Sequence, residues 1–158
     1  MKKRFSLKEY DPHCKSCPRL AGFLTEVQDR FPRYKCKPVP PFGVTRPDLL
    51  IVGLAPGLHG ANATGRPFTG DHAGIMLFKT LHKFGFSSHS ESLPGDNLAL
   101  FKCRITNAVK CLPPQNKPVA SEVNTCRRFL KSELSALPTG AVVIALGKIS
   151  HDSIVRAF

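Results

Sequence analysis

An apolar run that empties into a long glycine-bearing loop sets the limits on what this chain can become. Leu49-Leu50-Ile51-Val52 has the uninterrupted apolar character of a strand covered on both faces. Gly53-Leu54-Ala55-Pro56-Gly57-Leu58-His59-Gly60 follows, then Ala61 to Asp71, and a helical pattern begins near His72. Strand, glycine-rich loop and helix in that order put backbone N–H groups and a helix N-terminus at the carboxyl edge of a sheet. Open α/β folds place their ligands there. The loop is not a nucleotide-binding P-loop, because no Gly-Lys-Ser/Thr closes it, and it contains no Gly-x-Gly-x-x-Gly.

The flanking segments fit the same class. Pro18 suits a first helical turn, and Leu20, Leu24, Val27 and Phe31 then make one apolar stripe. Pro32 to Pro47 reads as an extended, proline-rich connector, made a basic ribbon by Arg33, Lys35 and Lys37. Asp71 is placed to N-cap a helix that carries Leu77, Phe78, Leu81 and Phe84 and ends at Gly85. The polar stretch Ser87 to Asn97 reads as a mobile loop. Cys103 to Val109 is expected as a second strand and Ala141 to Leu146 as a third, buried one. Between them Val119, Val123, Cys126, Leu130, Leu134 and Leu137 fall at helical spacing, and Ser150 reads as the N-cap of a last helix.

At 158 residues the chain is one domain with a single core. Twenty-three Lys and Arg against eleven Asp and Glu leave a formal charge of +12, which suits a polyanionic partner. The start, Met1-Lys2-Lys3-Arg4, is basic, but no signal-peptide-like apolar stretch follows and no run is long enough to span a membrane. A cytoplasmic protein is expected. In that compartment six cysteines suit ligands or free thiols better than disulfides.

Cys14 and Cys17 form a C-x2-C pair, and Cys111 and Cys126 bracket a proline-broken loop and the start of a helix. Such thiolates can hold an iron–sulfur cluster or zinc. The long gap between the pairs favours a clamp tying the N-terminal region to the middle of the chain over a compact zinc ribbon. Cys36 and Cys103 are left as a connector residue and a buried strand residue.

Three stretches resemble one family. Gly53-Leu54-Ala55-Pro56-Gly57-Leu58-His59-Gly60 with Thr64-Gly65-Arg66-Pro67-Phe68-Thr69-Gly70-Asp71 is similar to the first motif of the family 5 uracil-DNA glycosylases. Ile105-Thr106-Asn107-Ala108-Val109-Lys110-Cys111 with Pro113-Pro114-Gln115-Asn116-Lys117-Pro118 resembles their middle motif. Cys14, Cys17, Cys111 and Cys126 match the spacing of their four-cysteine [4Fe–4S] site, which in this family is structural.

The resemblance implies a three-layer α/β/α sandwich around a short parallel sheet. It also implies hydrolysis of the N-glycosidic bond of uracil, or another deaminated base, flipped out of DNA. Phe68 would stack on the extruded base and Asn107 would read its Watson–Crick edge. Ala55 stands where other branches carry an acidic or amide residue, so Asp71 becomes the catalytic candidate. It would steady the oxocarbenium-like sugar or orient a water, while backbone N–H groups around Ala55 and Gly57 face the departing base. His59 would support the loop or touch a phosphate.

The chain departs from the family pattern at Ala63, often basic, and at Val119-Ala120, often Thr-Pro. It also ends before the family's His-Pro-Ser-type loop, which supplies a histidine for the departing base and an apolar wedge for the emptied stack. A single glycosylase-like domain over 1–158, monomeric and C-terminally incomplete with its last strand missing, is therefore expected. Two further readings stand beside it. One is a catalytically weak or inactive iron–sulfur module that binds nucleic acid, and the other is a zinc-stapled scaffold.

Overall fold

The computed structural model describes residues 9–158, so the basic start at Met1–Arg4 lies outside the described residues. Helix α1 (Pro18–Arg30) leads through the connector to β1 (Phe42–Gly43), β2 (Leu49–Gly53), the short α2 (Ala61–Thr64) and α3 (His72–Lys83). Then come β3 (Cys103–Asn107), α4 (Ala120–Ser135), β4 (Val142–Ala145) and α5 (Lys148–Val155). The sheet order is β1-β3-β2-β4. β2 pairs in parallel with both β3 and β4, whereas β1 runs antiparallel to β3.

Strand alternation divides the core into the two outer layers. Ile51, Cys103 and Ile105 point to one face and pack with Phe78 and Leu81 of α3. Leu50 and Val52 point to the other and pack with Leu130 and Leu134 of α4 and Ala157 beyond α5. Leu50, Val52 and Leu130 are fully buried, each burial being worth about 1.5–3 kcal/mol. The chain is thus an α/β fold, as its sequence implies, with helices on both sides of a short sheet.

Three details differ from the sequence expectations. The connector is not wholly irregular: Phe42 and Gly43 add an antiparallel edge strand, so the sheet is mixed. Gly43, at φ +117°, lies so close to the β3 backbone that a side chain has no room there. β4, expected as a buried strand, is half-buried on one face and exposed on the other. Val143 packs toward α4, but Val142 (58 % exposed) and Ile144 (42 %) lie beyond the reach of α3. They belong to a face where Ile144 and Leu146 join Met76, Leu77 and Phe84 around an apolar groove of about 450 Å³. Ser150, finally, is not an N-cap: Gly147 precedes α5, and the buried Ser150 hydroxyl donates to the Leu146 carbonyl from inside the helix.

The missing Thr-Pro pairing before α4 is replaced from within the helix. Glu122 Oε2 accepts the Val119 N–H at 2.9 Å, and Arg19 holds the same carboxylate with two hydrogen bonds of 2.7 and 2.8 Å. Among the described residues no helix is long and apolar enough to cross a membrane.

Candidate functional site

The site is assembled where β2 and β3 end together. Gly53 closes β2 directly opposite Asn107, the last residue of β3. A Cβ on Gly53 would lie 2.5 Å from Asn107 Oδ1 and 2.5 Å from Phe68 Cζ, so the absence of a side chain lets the amide and the ring meet. Asn107 is 3 % exposed, and its Oδ1 is buried with no hydrogen-bond partner among the described residues. A buried amide oxygen without a partner costs about 1–3 kcal/mol, a cost a ligand's N–H would remove. Phe68 itself sits at φ +55°, a left-handed backbone rare for a bulky residue, and its carbonyl lies over Gly74, where again no Cβ fits.

Asp71 caps α3 as its sequence position implies: extended backbone, with Oδ1 accepting the Gly74 N–H at 2.8 Å. Its other oxygen faces Gly60, within 2.8 Å of where a Cβ there would stand. Phe68, Asp71, His72, Ile75, Ser92 and Leu93 line one cavity of about 470 Å³. Phe68 therefore borders both Asn107 and the Asp71 cavity. The other expected substrate contacts are arranged differently. Ala55 packs against Leu20, Val109, Cys126 and Phe129, on the cysteine side of the loop. The Gly57 carbonyl accepts the N–H groups of Gly60 and Asn62, which folds the loop into α2. His59 is exposed, its Nδ1 2.8 Å from the Tyr34 hydroxyl and its ring edge-on to Phe31 and Tyr34.

One wall of the cavity comes from the Ser87–Asn97 stretch, which is tied to the first motif. Arg66 Nη1 reaches Ser92 Oγ at 3.0 Å and Asp96 Oδ1 at 2.5 Å, and its guanidinium covers the Phe42 ring. Thr69 Oγ1 and Ser92 Oγ lie 2.6 Å apart. Sequence reasoning assigned nothing to Arg66, Thr69 or Ser92. Their one available signal was the placement of Arg66 and Thr69 inside a motif whose other members line the pocket.

Cys14, Cys17, Cys111 and Cys126 line a single small cavity of about 20 Å³, together with Leu20, Val109 and Phe129. No disulfide joins any of the six cysteines. Burial pushes the Cys111 thiol up to about 12, reinforced by the neighbouring Cys126, Cys14 and Cys17. Burial raises Cys17 and Cys126 as well. The Lys110 N–H donates to Cys126 Sγ at 3.3 Å, and Arg128 reaches Cys14 Sγ at 3.4 Å and Ser16 Oγ at 2.7 Å. Among the described residues no three metal-ligating side chains converge on a point where one ion would sit. Cys36 and Cys103 stand apart, one buried beside Leu24, Val27 and Leu112, the other inside β3.

With this geometry in hand, comparison with known proteins is specific. A family model described as the uracil DNA glycosylase superfamily matches residues 40–157, from the connector through α5. The chain belongs to that superfamily. Within the superfamily it is similar to a type-5 uracil-DNA glycosylase of Thermus thermophilus, 45 % identical over 92 % of this chain and 68 % of that protein. A type-5 enzyme of Pyrobaculum aerophilum is 41 % identical over 91 % of this chain and 66 % of its own length. One of Mycobacterium tuberculosis is 43 % identical over 90 % and 56 %. The chain thus spans between about half and two thirds of the type-5 glycosylases it matches. The matched region holds Gly53, Phe68, Asp71 and Asn107, so the pocket described above lies in the part of the superfamily domain that this chain carries.

Proposed function

We propose that this chain excises uracil from DNA by hydrolysing its N-glycosidic bond, as a base-excision repair glycosylase. The carrying observation is the unpartnered Asn107 Oδ1 buried at Gly53 beside the Phe68 ring. Stacking on Phe68 and pairing with Asn107 would satisfy the two needs of an extruded base, a flat apolar face and a partner for its polar edge. Asp71 shares its cavity with Phe68 and has one oxygen engaged by the helix. The other oxygen is the one that would orient a water or steady positive charge on the sugar. Negative charge gathering on the leaving base would be met by N–H groups of the loop. The excess of Lys and Arg supports the approach of DNA.

In the same reading Cys14, Cys17, Cys111 and Cys126 hold a [4Fe–4S] cluster. Two of these thiols lie just before α1, one lies beyond β3 and one on α4, and all four border one small apolar cavity; thiolates are the ligands that iron–sulfur clusters take. The cluster supplies no step of the hydrolysis; it would pin the start of α1 to the end of β3 and to α4. Brown colour lost with Cys111→Ala supports iron–sulfur, and a colourless zinc protein contradicts it.

Single-turnover incubation with a uracil-containing single-stranded oligonucleotide tests the activity. Abasic product abolished by Asp71→Ala is expected. Tight binding with no abasic product would instead favour a non-catalytic nucleic-acid-binding module.

A further inference from the structure

Thr106 and Arg104 of β3 alternate toward α4 while Ile105 points the other way, so polar groups are buried on the α4 side of the sheet. Lys110 folds back beneath them, its side chain 2 % exposed. Its Nζ lies 2.7 Å from Glu133 Oε2 of α4, donates to Thr106 Oγ1, and donates to the main-chain carbonyl of Asn107 at 3.0 Å. The Thr106 hydroxyl donates to the same Glu133 oxygen at 3.0 Å, and Arg104 Nε lies 3.6 Å from Glu133 Oε1.

An ion pair this deep is weak evidence for stability, since desolvating each charge costs several kcal/mol and apolar replacements are often as stable. What it does here is local. The N–H groups after Asn107 are fixed by β2 and its loop, Ala108 to the Gly53 carbonyl at 2.8 Å and Val109 to Leu54 at 3.0 Å. Lys110 fixes the carbonyl on the other side of the same peptide unit. The Asn107 backbone is therefore held from both directions, while its side-chain oxygen lies buried and without a hydrogen-bond partner among the described residues, beside the Phe68 ring.

We propose that Lys110 is a positioning residue for Asn107, gripping its carbonyl so that the amide is aimed at the base, with Glu133 and Thr106 holding the ammonium in place. This rests on reading Asn107 as the amide that recognises the base. Lys110 itself touches no base and lies on the far side of the peptide.

The test is Lys110→Met combined with Glu133→Gln, which removes both charges together and leaves neither buried alone. Thr106→Val is a milder second variant that removes one bond of the network. Affinity is measured for an oligonucleotide carrying uncleavable 2′-fluoro-2′-deoxyuridine and for the same strand with a tetrahydrofuran abasic site. The preference for the base is expected to fall about tenfold in the double variant and about threefold in Thr106→Val, with abasic-site affinity changed less than about twofold. The Asn107 side-chain amide resonance is expected to be a single sharp pair in the wild type and broadened or split in the variants. Unchanged preference and unchanged resonance in folded variants would overturn the proposal. A wild type without any preference for the base would remove the reading of Asn107 as base reader, and the resonance alone would still report whether Lys110 fixes the amide.

Discussion

Gly53 and Asn107 face each other at the last rung of the β2–β3 ladder, and the Asn107 amide oxygen reaches into the space a side chain on Gly53 would occupy. A methyl group at Gly53 would stand 2.5 Å from both the Asn107 amide oxygen and the Phe68 ring. Gly53→Ala is therefore expected to displace the amide and the ring at once. The cost in stability should be about 1–3 kcal/mol, as for an overpacked core site. Single-turnover cleavage of a uracil oligonucleotide should fall about 100-fold or more, because misplacement of about 1 Å is enough to do so. Normal cleavage by the alanine variant would show that ring and amide do not act together.

Asp71 carries a structural duty and a proposed chemical one, and the two can be separated. Asparagine caps helices about as well as aspartate, so Asp71→Asn should leave the unfolding free energy within about 0.5 kcal/mol. Asp71→Ala should cost about 1 kcal/mol. Both variants should lose cleavage by about 100-fold or more if the carboxylate acts on water or sugar. Full activity in Asp71→Asn would reduce this residue to a cap.

Arg66 ties the cavity wall at Ser92 and Asp96 to the first motif through a half-buried ion pair. Arg66→Ala should raise KM for uracil DNA about tenfold with a smaller effect on kcat, since it loosens a wall and removes no reacting group. Limited proteolysis should cut the variant first between Ser87 and Asn97. Equal resistance to protease and an unchanged KM would contradict that assignment.

The fold should weaken at both ends of the pH scale. The bond from Arg19 holds the Glu122 carboxyl below its usual 4.5, against the pull of burial and with help from the Val119 N–H. A folded-state value below the unfolded one gives stability that is present above pH 4.5 and lost as the pH falls through the lowered value. Arg19→Met should flatten this acid limb in urea unfolding. At the other end, burial raises the Cys103 thiol from 9.0 to about 11. That stability is complete below pH 9.0 and drains away as the pH rises through about 11. Cys103→Ala should reduce the dependence, leaving the part contributed by the other raised thiols. A wild type with flat stability from pH 9 to 11 would contradict the burial of this thiol.

Local rules carried far in this chain. The apolar run at Leu49–Val52, the Leu77, Phe78 and Leu81 part of the α3 stripe and the Asp71 cap were all legible, because period and capping act over a few residues. Phe84 fits the same spacing but is the C-cap residue, 66 % exposed, because the helix ends at Lys83 before it can turn inward. β1 was hidden because a proline-rich stretch gives no sign that two of its residues will lie along β3. The one-sided burial of β4 was hidden for a related reason: Val142 and Ile144 look like core until the reach of α3 is known. Ser150 resembled a cap, yet the left-handed Gly147 at φ +98° already turns the chain into α5. In the site, Phe68, Asp71 and Asn107 came from their motifs. Lys110 and Glu133 were invisible, since a buried pair between residues of separate elements leaves no periodic trace.

Whether a base is read between Phe68 and Asn107 can be decided by titrating free uracil into nitrogen-15-labelled protein. A saturable shift of the Asn107 side-chain amide, accompanied by upfield movement of base protons from the Phe68 ring, is the expected result. Saturable binding that moves other resonances and leaves the Asn107 amide unshifted would contradict it.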